Sequence, residues 1–229
     1  MTRRAEIAAG VRASFAAGLG MYPIGIAFGL LVAQSGLPLW VAPALSLTVF
    51  AGSLELLLVG MMAAGTPLAA IALTTLLVNG RHAFYAFSFP LGVIRGRIAR
   101  TYSIYALIDE AYAITASRAG WSAPRLLAMQ VAFQCYWVGG GLTGLLVSTL
   151  LPGVIHGLEF SLSALFVTLT LDAVRTRAGL PSLLLGGLSF SVALVVAPGQ
   201  ALFVGLGGSV ALLLARHVLT RPREEQPDA

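Results

Sequence analysis

Five ionisable side chains lie inside stretches of this 229-residue chain that are otherwise apolar: Glu55, Arg81, His82, Asp109 and Glu110. A charged side chain at the centre of a lipid bilayer costs about 2.5–3.5 kcal/mol on insertion scales. Such residues therefore face the interior of a helix bundle or a water-filled cavity, where they pair with each other or with a solute. The sequence predicts a membrane protein whose centre is polar.

The densest polar cluster is Asn79-Gly-Arg81-His82-x-x-Tyr85. At helical spacing Arg81 and Tyr85 share one face, and Asn79 and His82 share another. An arginine can bind a carboxylate through two hydrogen bonds, which suits recognition of an amino acid. A histidine titrates near neutral pH and could relay a proton. The alternatives are a structural Arg–Glu pair and a hydrogen-bonded core histidine.

Ser53 and Glu55 lie in the middle of a predicted helix at 41–62. Burial disfavours the charged form of an unpaired carboxyl group, so an unpaired Glu55 would hold a proton. Two roles follow, a proton carrier or a partner for Arg81. The alternative is a residue at a helix interface that reaches a loop.

A predicted helix at 101–118 carries the two remaining carboxylates. Four residues share one face at spacings of 3, 4 and 3: Tyr102, Tyr105, Asp109 and Tyr112. Asp109 and Glu110 point about 100° apart, so they do not form one paired acid site. An acidic group here could hold the ammonium of a zwitterion or neutralise Arg81. The alternative is an amphipathic helix lying at the membrane interface.

Pro23-x-Gly25-x-x-Phe28-Gly29 lies in the first apolar run. Proline removes a backbone donor and glycine weakens the helix, so this turn can unwind and present carbonyl groups to a solute. Gly25 and Gly29 also form a face of small residues suited to close helix packing.

Composition indicates the elements that must position these residues. The chain is 58% hydrophobic and 10% charged, whereas soluble domains carry about 25% charged residues. We therefore expect an all-α, polytopic integral membrane helix bundle with seven or eight transmembrane helices in a single domain over 1–229. The predicted helices are 14–33, 41–62, 67–89, 101–118, 125–150, 158–174, 181–196 and 199–217, with 220–229 as a flexible tail.

Arginine alone supplies the net charge of +5. The arginines lie at loop edges, as the positive-inside rule predicts for a cytoplasmic N-terminus over 1–13 and a cytoplasmic C-terminus. They do not cluster on one face, which argues against nucleic-acid binding. The loop containing Arg95, Arg97 and Arg100 disagrees with eight crossings. Either the helix at 67–89 is broken at Asn79–Gly80 and re-enters, or the helix at 101–118 is not a full crossing.

A weak internal repeat matches Gly25-Ile-Ala-Phe-Gly-Leu-Leu-Val with Gly140-Gly-Leu-Thr-Gly-Leu-Leu-Val at an offset of 115. Repeats in transporters place the substrate between the two halves, although apolar sequences also match by chance. Cys135 is the single cysteine, so no disulfide forms within the chain, and we expect it to be a small buried residue. The sequence contains no phosphate loop, no histidine cluster with metal-ligand spacing and no nucleophile–base set. We therefore predict no cofactor, no metal site and no enzymatic activity.

The polar motifs together resemble the AzlC family of branched-chain amino acid exporters and permeases. The matching pieces are Pro23-x-Gly25-x-x-Phe28-Gly29, Phe50-Ala-Gly-Ser53, Asn79-x-Arg81-His82-x-x-Tyr85 and Asp109-Glu110. The resemblance implies a multi-pass inner-membrane protein that works with a small AzlD-type membrane subunit and uses an ion gradient. Two residues depart from the family pattern, Glu55 where many relatives are expected to have Gln, and Ile108 where Thr is expected.

The leading hypothesis is a secondary transporter that exports branched-chain or other neutral hydrophobic amino acids. The predicted substrate-binding or transport residues are Pro23, Gly25, Phe28, Gly29, Ser53, Glu55, Asn79, Arg81, His82, Tyr85, Asp109 and Glu110. The alternatives are an uptake permease for a different small zwitterion and a membrane scaffold that does not transport.

Overall fold

The computed structural model describes residues 2–150, 167 and 180–220. These residues form helices, turns and loops, and no strand lies among them. The all-α fold is therefore confirmed. The predicted helix at 158–174, apart from Val167, and the tail beyond residue 220 lie outside the described residues.

The chain divides into two compact units, Met1–Leu158 and Glu159–Ala229. The helices of the first unit are α1 (Arg3–Gln34), α2 (Val41–Thr48), α3 (Gly52–Ala63), α4 (Leu68–Asn79), α5 (Arg81–Tyr85), α6 (Arg97–Tyr105), α7 (Asp109–Ser117) and α8 (Ala123–Leu150), with a 3₁₀ turn at Leu91–Val93. The second unit contains α9 (Leu180–Val196), a 3₁₀ turn at Pro198–Gln200 and α10 (Ala201–Thr220).

Three of the predicted helices are interrupted. The segment at 41–62 divides into α2 and α3, and Phe50 between them has a φ of 44°, in the left-handed region. The segment at 67–89 divides at Gly80, as one of the two sequence alternatives proposed, and α5 ends at Tyr85. The segment at 101–118 divides into α6 and α7 at residues 106–108. Hydropathy did not reveal the first and third breaks because apolar residues continue through them.

α1 and α8 are long and apolar enough to cross a membrane, whereas Gly52–Ala63, Leu180–Val196 and Phe203–Leu219 are shorter apolar helices. Large apolar side chains on α1 and α8, such as Phe15 and Leu146, are more than half exposed. Such a surface is suited to contact with lipid. Cys135 on α8 is also exposed, so the prediction that it is buried was wrong.

A glycine seam joins α1 to α8, which run parallel to each other. A Cβ atom added to Gly144 would lie 3.0 Å from the Cα atom of Gly29, and one added to Gly25 would lie 3.1 Å from that of Gly140. Gly10 lies against Arg125 at the other end of the same pair. Small residues of this kind let membrane helices approach until their backbones touch. The two motifs of the weak repeat therefore pack directly on each other.

We expect Gly144→Ala to destabilise the protein. The added Cβ would lie 2.2 Å from the backbone oxygen of Ile26, and the neighbouring backbone must shift to admit it. Overpacking of this kind costs about 1–3 kcal/mol. The melting temperature in detergent should fall for Gly144→Ala and should not fall for the control Gly20→Ala, whose new Cβ meets no atom within 4 Å. Equal melting temperatures would contradict the glycine seam.

Candidate functional site

Asp109 is the centre of a polar cluster in the first unit. Its Oδ2 lies 2.7 Å from Nη2 of Arg81, and its Oδ1 accepts a 2.8 Å hydrogen bond from the hydroxyl of Tyr85. Nε2 of His82 lies 3.9 Å from Oδ1. Nη2 of Arg81 also donates to Oγ of Ser53 at 3.4 Å. We call Ser53, Arg81, His82, Tyr85 and Asp109 the Asp109 cluster.

The helix breaks bring this cluster together. Ser53 lies in the first turn of α3, Arg81 is the first residue of α5, and Asp109 is the first residue of α7. A carboxylate in the first turn of a helix is favoured by the helix dipole and by unpaired backbone N–H groups. The first turns of α3, α5 and α7 therefore lie together at the Arg81–Asp109 ion pair.

The charged pair of the cluster is accessible. The side chain of Arg81 is 45% exposed and that of Asp109 is 43% exposed. Part of each charged side chain is therefore left uncovered by the described residues of the first unit, where a ligand could contact it.

Aromatic and amide groups surround the cluster. The rings of Tyr85 and Tyr112 stack with centroids 4.2 Å apart, and Ser88 shares a 3.0 Å hydrogen bond with the Tyr112 hydroxyl. Nδ1 of His82 lies 3.1 Å from the backbone oxygen of Asn79. The side-chain oxygen of Asn79 is buried and has no partner among the described residues.

Glu55 is separate from the cluster. The side chain is fully buried. Its Oε1 accepts from the Ala51 N–H at 3.0 Å, and its Oε2 accepts from Ser46 Oγ at 2.9 Å and from Trp137 Nε1 at 3.0 Å. Of the two roles that the sequence left open for Glu55, the pairing with Arg81 is not found, because Asp109 pairs with Arg81. Glu55 instead satisfies the backbone N–H that the break between α2 and α3 leaves free.

The remaining predicted residues lie in two places. Glu110 follows Asp109 on α7, is partly buried, and interacts electrostatically with both Asp109 and Arg81. α1 is continuous through Pro23, which is exposed, while Gly25 and Gly29 pack on α8. Phe28 is fully buried and stacks on Trp137, with ring centroids 5.7 Å apart. The first-helix motif thus has the packing role that was the alternative to unwinding.

The predicted single polar face over 101–118 was wrong because α6 ends before Asp109. Tyr102 donates to Oε1 of Gln134 at 3.0 Å, and Nε2 of Gln134 donates to the hydroxyl of Tyr105 at 2.9 Å. Tyr112 belongs instead to α7, beside Tyr85. Tyr102 and Tyr105 therefore contact α8, whereas Tyr112 lies beside the Asp109 cluster.

Sequence reasoning missed the polar face of α8 formed by Gln130, Gln134 and Trp137. Gln130 is fully buried, accepts from Ser103 Oγ at 2.7 Å, and donates to the backbone oxygens of Ser103 and Ala106 at 2.8 and 3.0 Å. It thus satisfies carbonyl groups at the end of α6. The available signal was the spacing of 4 and 3 residues, which puts three hydrogen-bonding side chains on one helix face.

These features define an integral membrane protein of the helix-bundle class, with interrupted helices around an accessible ion pair. The family model described as AzlC protein matches residues 16–151, more than half of the chain. The chain therefore belongs to the AzlC family of transport-related membrane proteins.

Individual relatives agree with this membership. The branched-chain amino acid transport protein AzlC of Bacillus subtilis is 28% identical over 98% of this chain and 91% of its own length. An uncharacterized membrane protein of Helicobacter pylori strain J99 is 29% identical over 69% of this chain and 71% of its own. The inner membrane protein YgaZ of Escherichia coli is 26% identical over 77% of this chain and 79% of its own. No solved structure matches the chain.

We expect Trp137→Phe to destabilise the break between α2 and α3. Phenylalanine retains a ring to stack on Phe28 but removes the N–H that donates to Glu55. Leaving a buried polar atom without its partner costs about 1–3 kcal/mol. The melting temperature in detergent should fall, whereas Trp40→Phe, at a residue that is 68% exposed, should leave it unchanged. If both variants have the same melting temperature as the wild type, the hydrogen bond from Trp137 to Glu55 does not stabilise the protein.

Proposed function

We propose that the protein is the large subunit of a secondary transporter that exports branched-chain or other neutral hydrophobic amino acids across the bacterial inner membrane. The observation that supports this most strongly is the accessible Arg81–Asp109 pair within an apolar chain. The name of the Bacillus subtilis relative indicates the same class of substrate.

The two charges of the pair match the two charges of an amino acid. A planar guanidinium can hold the substrate carboxylate through two parallel hydrogen bonds. A carboxylate can accept from the substrate ammonium. A zwitterion would therefore replace the contact between Arg81 and Asp109 by two new ones, Arg81 to its carboxylate and Asp109 to its ammonium. Ser53 adds a polar contact to Arg81.

Charge balance favours a substrate of this kind. Without a ligand, Arg81 and Asp109 neutralise each other across 2.7 Å. With a zwitterion bound, the number of positive and negative charges in the site remains equal. Moving a net charge through a bilayer is costly, so a site that is neutral both empty and loaded can change its accessibility in either state.

Selectivity among aliphatic substrates should be modest. A pocket distinguishes one methylene group by only about 1–3 kcal/mol. We therefore propose that leucine, isoleucine and valine compete for the same site, with the substrate ammonium and carboxylate held in common.

The α1–α8 pair supports the proposed orientation. Because the two helices are parallel and Gly10 lies against Arg125, their N-termini lie at the same end. Arg3, Arg4 and Arg12 near the start of α1 therefore lie at the same end as Arg125. The positive-inside rule places such an end in the cytoplasm, and we assign the N-terminus to that side. For the C-terminus the same assignment is proposed from the sequence alone, because arginines lie at 216, 221 and 223.

We also propose a small membrane partner of the AzlD type. A neighbouring reading frame that encodes a hydrophobic protein of about 100 residues, enough for a few crossings, would support this pairing. Co-purification of the two products in detergent is the direct test.

Transport is measured with the chain and this subunit in liposomes loaded with labelled leucine. We expect efflux that is saturable and is slowed by excess valine or isoleucine. Liposomes containing the small subunit alone are the control. Absence of flux for every neutral amino acid tested would refute transport and leave the role of a membrane scaffold.

Arg81→Lys should weaken leucine binding while preserving the charge. An ammonium group is a point charge and does not reproduce the planar, two-pronged contact with a carboxylate. We expect the leucine concentration for half-maximal transport to rise about tenfold, equivalent to one hydrogen bond to a charged group. The control Arg95→Lys, at an exposed residue between the 3₁₀ turn and α6, should behave as wild type. Unchanged leucine dependence in Arg81→Lys would exclude Arg81 from the binding site.

A further inference from the structure

We infer that the protein binds one anionic phospholipid in a groove between the N-terminal parts of α1 and α8, with the lipid phosphate at Arg3 and an acyl chain along the groove. The inference depends on the membrane character of the chain and not on the proposed transport function. None of the residues that line the groove belongs to the Asp109 cluster.

The groove follows two helices that run side by side. Arg3, Ile7 and Val11 line it on α1, and residues between Ala123 and Tyr136 line it on α8. It has a volume of about 690 Å³. The helices themselves touch through the glycine seam, so the groove lies along the flank of a fixed pair.

The groove is charged at one end. Arg3 is the charged residue among the described residues that line it. Beyond Arg3 the walls are aliphatic, with Ile7 and Val11 on one side and Leu127 and Val131 on the other. Basic pockets between transmembrane helices bind anionic lipid headgroups. A molecule with one anionic end and a hydrocarbon chain therefore matches the groove.

The length of the groove suits a lipid of one leaflet. From Ala123 to Tyr136 the α8 wall extends about 20 Å, at 1.5 Å per residue. The hydrocarbon core of a bilayer is about 30 Å thick, so one leaflet contributes about 15 Å. A lipid with its headgroup at Arg3 can lay one chain along the groove and remain in its own leaflet.

The α1 wall continues into a surface that suits contact with lipid. Arg3, Ile7, Val11, Phe15 and Leu19 follow each other at a spacing of four residues, which places them along one side of the helix. The four apolar side chains are between 41% and 56% exposed. An acyl chain in the groove therefore joins the surrounding hydrocarbon without crossing a polar residue.

Charge at this end favours an anionic headgroup over a zwitterionic one. Arg3 and Arg4 are exposed, and neither has an ion-pair partner among the described residues. The neighbouring carboxylate, Glu6, accepts a 2.7 Å hydrogen bond from Ser122 at the start of α8. A zwitterionic headgroup would bring its own cation to these arginines, whereas an anionic headgroup would not.

The size of the groove argues against a helix of another protein. A helix with its side chains is about 10 Å wide, so a 20 Å length fills about 1,600 Å³. This is more than twice the volume of the groove. An acyl chain is only one methylene group wide and can follow the groove along its length.

The test measures the melting temperature of the delipidated full chain in a neutral detergent, with added dioleoyl phosphatidylglycerol or dioleoyl phosphatidylcholine. A ligand that binds only the folded state raises the melting temperature by mass action. We expect a rise of about 5 °C with phosphatidylglycerol at saturation and of less than about 1 °C with phosphatidylcholine. Native mass spectrometry should show about one tightly bound phosphatidylglycerol per chain.

Arg3→Gln tests the headgroup contact. Because each arginine near an anionic headgroup adds to its attraction, the phosphatidylglycerol concentration that gives half the temperature rise should increase about fivefold. The matched control is Arg12→Gln, which removes the same charge from an exposed position of α1 outside the groove. It should change this concentration less than about twofold.

Val131→Trp tests the chain contact by filling the groove with a large ring. The matched control is Leu142→Trp, on α8 outside the groove, and the two native side chains are similarly exposed, at 47% and 49%. We expect Val131→Trp to lose both the bound lipid and the temperature rise, and Leu142→Trp to keep both.

The remaining outcomes identify other occupants. Equal temperature rises with the two lipids, or an unchanged response to phosphatidylglycerol in Arg3→Gln or in Val131→Trp, would overturn the lipid site. Glycerol 1-phosphate carries the headgroup phosphate without a chain, and a rise equal to that of the lipid would assign the site to a soluble phosphate. Loss of the small subunit from Val131→Trp, with the lipid response unchanged, would assign the groove to a partner helix.

Discussion

The requirement that every backbone polar group find a partner in an apolar environment governs the first unit. Each interruption of a helix frees N–H and C=O groups that lipid cannot satisfy. Two of the interruptions are matched by side chains that lie on or contact one face of α8. Trp137 holds Glu55, which accepts from Ala51, and Gln130 donates to the carbonyl groups at the end of α6. α8 is therefore the element that makes interrupted helices tolerable here.

The interruptions in turn create the Asp109 cluster. Had the segments at 41–62, 67–89 and 101–118 been continuous, the starts of α3, α5 and α7 would not exist. The carboxylate of Asp109 would also lie in a helix interior, without the unpaired N–H groups of a first turn. The polar side chains that stabilise the interrupted helices are thus different from those that remain exposed at the ion pair. Gln130 and Glu55 are buried and fully hydrogen-bonded, whereas Arg81 and Asp109 remain accessible.

The sequence was sufficient for the helical class, and it singled out most of the residues that meet in the Asp109 cluster. Arg81, His82, Tyr85 and Asp109 stand out because they are polar residues in apolar runs, and this property does not depend on exact helix boundaries. The partner of Glu55 was not predictable in the same way. Spacing along one helix reveals which residues share a face, but not which face of another helix lies opposite. The breaks at 49–51 and 106–108 were hidden because side chains satisfy their backbone groups, Glu55 for the Ala51 N–H and Gln130 of α8 for the Ala106 carbonyl, and hydropathy does not reveal such partners.

The contact between α1 and α8 has a mechanical consequence. Where glycine lies on glycine, as at Gly29 and Gly144, one main chain rests on another with no side chain between them. Sliding α1 by one residue would drive the larger side chains of Phe28 or Leu30 into the main chain of α8, so the two helices cannot shift in register. Close-packed interfaces change between discrete arrangements and do not deform continuously. The α1–α8 pair is therefore a rigid element, and a change of shape within the first unit is restricted to the shorter helices that pack against it.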